Sequence, residues 1–190
     1  IVIDCSSRAF SLLNRQHALF TVFSVLRNLS TMDIACVDVW LAHERTTRVA
    51  TGISADQLWT NNILDPIYDA SLEPYSPTSI AHTIKVAGST CAVRHLPTVM
   101  LVFTNGVTVD KVRNEIQTTI ASMKVRAVGI GIGSYLNKFS QFLPEMVWNA
   151  NPLHLADSIL GLQAPDAFDV ENGVMEAASE NRAMEETSID

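Results

Sequence analysis

Thr98-Val99-Met100-Leu101-Val102-Phe103-Thr104, closed by Asn105-Gly106, is the stretch on which the fold turns. Five apolar residues in unbroken succession read as a strand buried on both faces, because a strand with one wet face would alternate apolar with polar. Pro97 introduces the run and Asn-Gly is a turn-forming pair. Two more runs of the same kind flank it: Ile1-Val2-Ile3, ending in the polar Asp4-Cys5-Ser6-Ser7, and Val125 to Ile132. Between residues 9 and 29, Phe10, Leu13, Leu19, Phe20, Phe23, Leu26 and Leu29 recur at helical spacing, which predicts one long helix with a wide buried face. Met32 to Ala42 reads as a strand that folds back through His43-Glu44-Arg45 onto Thr46 to Thr51. Ser54 is the expected N-cap of a helix over Gln57 to Ile67. Further helices are expected at 78–91, 108–123, 134–143 and 152–162, with a short strand at Met146-Val147-Trp148. This alternation predicts an α/β fold: a doubly wound, mostly parallel six-stranded sheet with one antiparallel edge strand and helices on both faces.

A chain of 190 residues with 47% hydrophobic content supports one sizeable core. The expected domain spans 1–162, followed by an acidic C-terminal tail over 163–190, flexible or partly helical near Val174 to Met184. Charge follows the same division. Of 20 acids and 13 bases, the tail holds eight acids (Asp166, Asp169, Glu171, Glu176, Glu180, Glu185, Glu186, Asp190) against Arg182 alone, so the body is neutral. A neutral body without a basic stripe argues against nucleic acid, whose phosphates demand clustered Lys and Arg. No apolar run approaches the roughly 18–20 residues needed to cross a bilayer, which argues against membrane insertion. Ile1 opens directly inside a strand, as in a processed or excerpted chain. Cys5, Cys36 and Cys91 show no metal spacing and are too sparse for a disulfide scaffold. Cys5 and Cys36 read as small buried hydrophobes, and Cys91 as the more reactive or bridging thiol.

In open α/β sheets, ligands bind beyond the carboxyl ends of the strands, where strand order reverses. Two strand ends here are polar: Asp4-Cys5-Ser6-Ser7-Arg8 and Thr104-Asn105-Gly106. A third polar cluster, Ser76-Pro77-Thr78-Ser79, opens a helix whose N-terminal end suits an anion. These clusters form one surface if the first and fourth strands are neighbours.

Asp4-x-Ser6-x-Arg8 resembles the Asp-x-Ser-x-Ser that follows the first strand of von Willebrand factor A (vWA) domains. Pro77-Thr78-Ser79-Ile80-Ala81-His82-Thr83-Ile84 resembles that family's loop-to-helix segment with its site Thr. Val99 to Gly106 resembles its strand ending in Thr-Asp-Gly, and Val125 to Gly133 its strand ending in Gly-Val-Gly. The similarity covers about residues 1–162, in the family's order. It implies a metal-ion-dependent adhesion site, in which hydroxyl and carboxylate oxygens hold Mg²⁺ and a carboxylate of the partner fills an open position. Mg²⁺ favours such oxygen ligands in near-octahedral geometry. Asp4, Ser6 and Thr78 match the motif and would be its ligands here. Arg8 stands where a second Ser hydroxyl is expected, and Asn105 where an Asp is expected. One change places a fixed cation at the metal's edge, and the other removes a compensating charge. The expectation is therefore a ligand-binding site built on Asp4, Ser6, Arg8, Thr78 and Asn105, with no cofactor and no bound metal. The Arg8 fork would pair with Asp4 or with an acidic partner.

Catalysis is not expected. Ser6, His82 and Asp4 could be imagined as a hydrolase set, but Gly-x-Ser-x-Gly is absent. Gly129-x-Gly131-x-Gly133 lacks the spacing of a dinucleotide turn. Asn28-Leu29-Ser30 is a glycosylation sequon. The resemblance is strongest to the secreted matrix and adhesion branch, and implies a non-enzymatic module that binds a protein, collagen or another matrix protein. The alternative from a different class is an intracellular vWA scaffold subunit of a large assembly, located in the cytoplasm.

Overall fold

The structure, a computed structural model, describes residues 1–7, 9–34, 36–72, 80–93, 98–106, 110–123, 125–132, 143 and 145–147. All belong to one compact unit, Ile1–Ala156. The expected helices at 134–143 and 152–162 fall outside the described residues, Leu143 apart, and so does the tail 163–190.

Six strands form one sheet: β1 (Val2–Asp4), β2 (Val37–Ala42), β3 (Thr46–Ile53), β4 (Val99–Thr104), β5 (Arg126–Gly131) and β6 (Glu145–Val147). Their order is β3-β2-β1-β4-β5-β6. All neighbouring pairs are parallel except β2 with β3. The α/β fold with one antiparallel edge is therefore as expected. Both the β1–β2 and the β4–β5 pair grow outward from the central β1–β4 pair, so the strand order reverses between β1 and β4.

Strand parity divides the core. Val2, Trp40, Met100, Val102 and Ala127 point to one face, where they cluster with Ile80, Ala81, Ile84 and Ala87 of α3 (Ile80–Ala92) and Ile116 and Ile120 of α4 (Asp110–Ser122). Ile3, Val39, Leu41, Leu101, Phe103, Val128 and Ile130 have the opposite parity and are equally buried. Strands buried on both faces are what the continuous apolar runs require. On this second side, α1 (Arg15–Leu29) buries Ala18, Val22, Val25, Leu26 and Leu29 and packs with a 3₁₀ turn (Ala55–Trp59) and α2 (Asn61–Leu72).

Three boundaries differ from the sequence expectation, each for a local reason. The first helix begins at Arg15 rather than near residue 9. The amides of Asn14 and Arg15 both bond to the Ser11 carbonyl, and Ser6 captures Ala9 N–H and Phe10 N–H, so the chain turns before it coils. Phe10 is buried as an anchor of this turn, whereas Leu13 and Phe20 are exposed and so do not join a buried face. The second strand begins at Val37 rather than Met32, because residues 31–34 close α1 through Thr31 N–H to Asn28 O, Met32 N–H to Leu29 O and Ile34 N–H to Met32 O. Ser54 precedes the 3₁₀ turn and makes no side-chain cap, and α2 starts instead where Thr60 O accepts Ile63 N–H and Leu64 N–H.

Candidate functional site

Register fixes which side chains reach the crest of the sheet. Ile3 pairs with Leu41 and Phe103, and Asp4 with Ala42, so Asp4 and Thr104 end adjacent parallel strands at the same level. Thr104 in turn faces Gly131. The Thr104 hydroxyl donates to Asp4 Oδ2 at 2.8 Å, across 100 residues of sequence. The same hydroxyl accepts the Gly106 N–H at 3.0 Å. Gly106 has φ 67°, a left-handed conformation that favours glycine, and this curls its amide back onto Thr104. A chain of three groups thus runs from amide to hydroxyl to carboxylate, each polarising the next.

The other carboxylate oxygen is also held: Ser6 N–H donates to Asp4 Oδ1 at 2.9 Å. Ser6 Oγ accepts Ala9 N–H at 3.2 Å, and Phe10 N–H reaches Ser6 O at 3.1 Å, which pins the loop after β1. Asp4 is only 4% exposed. Burial raises its carboxyl above the usual carboxylate range, while the bonds from Thr104 and Ser6 pull the other way. Cys5, wholly buried beside it, is pushed up by burial and secondarily by the Asp4 charge, so the thiol stays protonated. Asn105 is 2% exposed, so its side chain belongs to the buried crest rather than to solvent.

Of the five residues expected at the site, Asp4, Ser6 and Asn105 gather at the crest where β1 meets β4. Arg8 and Thr78 lie outside the described residues. Thr104 is the crest residue that the sequence reading passed over in favour of its neighbour. Its signal was present: a hydroxyl ending an apolar strand, one step beyond the pairing of Ile3 with Phe103. The β2–β3 hairpin borders this end too, with His43 Nε2 and Thr47 Oγ1 2.9 Å apart, and Thr46 Oγ1 2.8 Å from Thr83 Oγ1 of α3. His82 is exposed on α3.

The donor set decides what the crest can hold. Among its described side chains one carboxylate, Asp4, is present, and both of its oxygens already accept protein hydrogen bonds. The neighbouring Asn105 contributes no charge. A hard dication wants several oxygens and compensating negative charge, and this set fits it poorly. Among the described residues no three His, Cys, Asp or Glu side chains gather as a metal group. Cys5 is a buried thiol, and Cys36 is half-buried ahead of β2 rather than inside a strand. Asn28, in the last turn of α1, is half-buried. Among the described residues no helix is long and apolar enough to cross a membrane.

No family model matches the chain, and no curated protein matches it. Solved structures do. An aerotolerance-related membrane protein from Bacteroides fragilis is similar with a TM-score of 0.67 at 13% identity, over 84% of this chain and 94% of that one. The manganese-loaded TRAP protein of Plasmodium vivax is similar with a TM-score of 0.59 at 17% identity, over 86% of this chain and 62% of that one. A von Willebrand factor type A structure from Catenulispora acidiphila is similar with a TM-score of 0.50 at 18% identity, over 85% of this chain and 40% of that one. The chain thus spans nearly all of the first and less than two thirds of the other two. Their shared architecture is the one described above, and the chain has the fold of a von Willebrand factor A-type domain.

Proposed function

We propose that this domain is a non-enzymatic protein-binding module that engages its partner through the loops at the crest of the sheet, without a metal ion. The observation that carries the reading is the Thr104–Asp4 hydrogen bond, which occupies with a protein hydroxyl the carboxylate that a metal-dependent crest would turn to the ion. Asn105 in place of a carboxylate removes the charge that would offset a dication, and Arg8 supplies a cation of its own. Arg8 is then the group that meets an acidic side chain of the partner, through the paired hydrogen bonds a guanidinium offers a carboxylate. The Plasmodium vivax TRAP structure carries manganese; on this reading the crest of the present chain needs no such ion. We further infer a secreted matrix or adhesion protein as the parent, with collagen or another matrix protein as partner. The Asn28 sequon favours that branch over an intracellular scaffold.

Peptides selected on the wild-type domain from a displayed library of random linear sequences test the reading. Binding is expected to persist in EDTA, to favour acidic peptides and to fall about tenfold or more in Arg8→Glu, which turns attraction into repulsion. Loss of binding on chelation, or full binding by Arg8→Glu, would contradict it.

A further inference from the structure

Cys36 and Cys91 meet at the end of the sheet opposite the crest. Val2 pairs with Trp40 on one side and with Val102 on the other. Four residues back along these two neighbours stand Cys36, one position before β2, and Thr98, one position before β4. Both therefore lie at the same height in the sheet. Positions four apart on a strand share a face, so Cys36 and Thr98 belong to the face of Trp40 and Val102, which α3 and α4 cover. The irregularities in the β2–β3 pair do not alter this parity. Val37 to Val39 is matched by Ile53 to Ala50, so the extra residue falls on β3 and β2 runs regularly.

Cys91, in the last turn of α3, arrives at the same place from above the sheet. It continues the helical stripe of Ile80, Ile84 and Ala87, which packs on that face with Val2 and Trp40. With Thr98 it lines a cavity of about 1030 Å³ between α3 and α4. Ile1 links the two cysteines. Its nitrogen donates to Asp38 O at 2.7 Å, two residues beyond Cys36. Burial lowers the Ile1 amino group to about 6, and the first influence opposing it is the charge of Cys91, ahead of that of Asp38. Cys91 thus lies close to the nitrogen that grips the chain just after Cys36. Both cysteines are half-buried, within reach of small thiols and disulfides, whereas Cys5 is wholly buried.

We propose that Cys36 and Cys91 are a disulfide pair that ties the end of α3 to the entry of β2. The oxidant is a small-molecule disulfide such as oxidised glutathione. One cysteine thiolate attacks a glutathione sulfur and expels the first glutathione thiol. The other then attacks the protein sulfur of the mixed disulfide and expels the second. Two electrons pass from the cysteines to the glutathione sulfurs, and both cysteine protons end on the released thiols. Closing the span from 36 to 91 restricts the unfolded chain, so the oxidised domain is the more stable form. Such a bond persists in an oxidising compartment, which makes the domain's stability depend on where it resides. The inference does not rest on the crest reading.

The test incubates the full chain with a mixture of reduced and oxidised glutathione, then alkylates it and digests it without reduction. Mass spectrometry is expected to find the Cys36 and Cys91 peptides joined, with Cys5 alkylated only after unfolding. Oxidation should raise Tm by about 5–10 °C in wild type and leave Cys36→Ser and Cys91→Ser unchanged. Cysteines that stop at the mixed disulfide with glutathione would overturn the inference. So would a joined peptide that includes Cys5, a bond formed only between two chains on a non-reducing gel, or a Cys36–Cys91 bond that leaves Tm unchanged or lowers it.

Discussion

Thr104→Val is expected to lower the stability of the domain by about 3 kcal/mol at neutral pH, although it exchanges one methyl for one hydroxyl. Thr104 is buried and its hydroxyl serves two groups. Valine leaves Asp4 Oδ2 without its donor and Gly106 N–H without its acceptor, both away from water. An orphaned buried group costs more than the bond contributes, because its hydration was given up and nothing replaces it. For a chain of this size the loss corresponds to a fall of roughly 10 °C in Tm. The pH dependence separates this cause from simple repacking. Burial already raises the Asp4 carboxyl, and removing the hydroxyl raises it further. Stability linked to a raised carboxyl is fully present below its unfolded value of about 3.9 and is lost as pH rises through the folded value. The deficit of Thr104→Val should therefore be smallest near pH 4 and grow toward pH 7, as read by urea unfolding. An equal deficit at both would assign the effect to packing instead.

Asn105→Asp should act more strongly still. The side chain is almost the same shape, and its position is 2% exposed. At neutral pH the variant carries a second carboxylate into a crest that already buries Asp4. An uncompensated buried charge costs several kcal/mol, so a loss of about 4 kcal/mol is expected. The new carboxyl relieves itself by taking up a proton, and the sign follows: the deficit is absent below the unfolded value and appears as pH rises through the raised folded one. Purification at pH 5 keeps the variant folded for study. With two carboxylates beside Ser6 and Thr104, the crest also gains the charge a dication needs. Millimolar Mg²⁺ should then recover part of the lost stability at pH 7. A variant as stable as wild type at pH 7, with or without Mg²⁺, would show that the crest is not dry.

Much of this arrangement was legible in the residues. The unbroken run from Val99 to Phe103 reads as a buried strand, and it is one from Met100 onward, as are Val2-Ile3 and Ala127 to Ile130. Asn105-Gly106 marked the turn, and Gly106 adopts the left-handed backbone such a turn requires. What sequence could not supply was register. The importance of Thr104 depends on Ile3 pairing with Phe103 rather than with a neighbour one step away, a tertiary fact with no local signature. The start of α1 was misjudged for a related reason. Phe10 and Leu13 match a helical period, but the Ser6 and Ser11 carbonyls bind the amides of that stretch first, and hydrophobic spacing does not report such competition. The same misjudgement concealed Leu12 and Leu13, which periodicity placed on or near a helix and which a rigid turn holds in solvent instead.

Thermal unfolding of the wild-type domain, in EDTA and across a Mg²⁺ titration into the millimolar range, bears most directly on whether the crest serves without a metal. An ion bound only by the folded state raises stability by about 2.7 kcal/mol at a hundred times its Kd, or roughly 5–10 °C in Tm for a chain of this length. The metal-free crest predicts curves that coincide to within about 1 °C. A saturable rise of several degrees, abolished by EDTA, would contradict it.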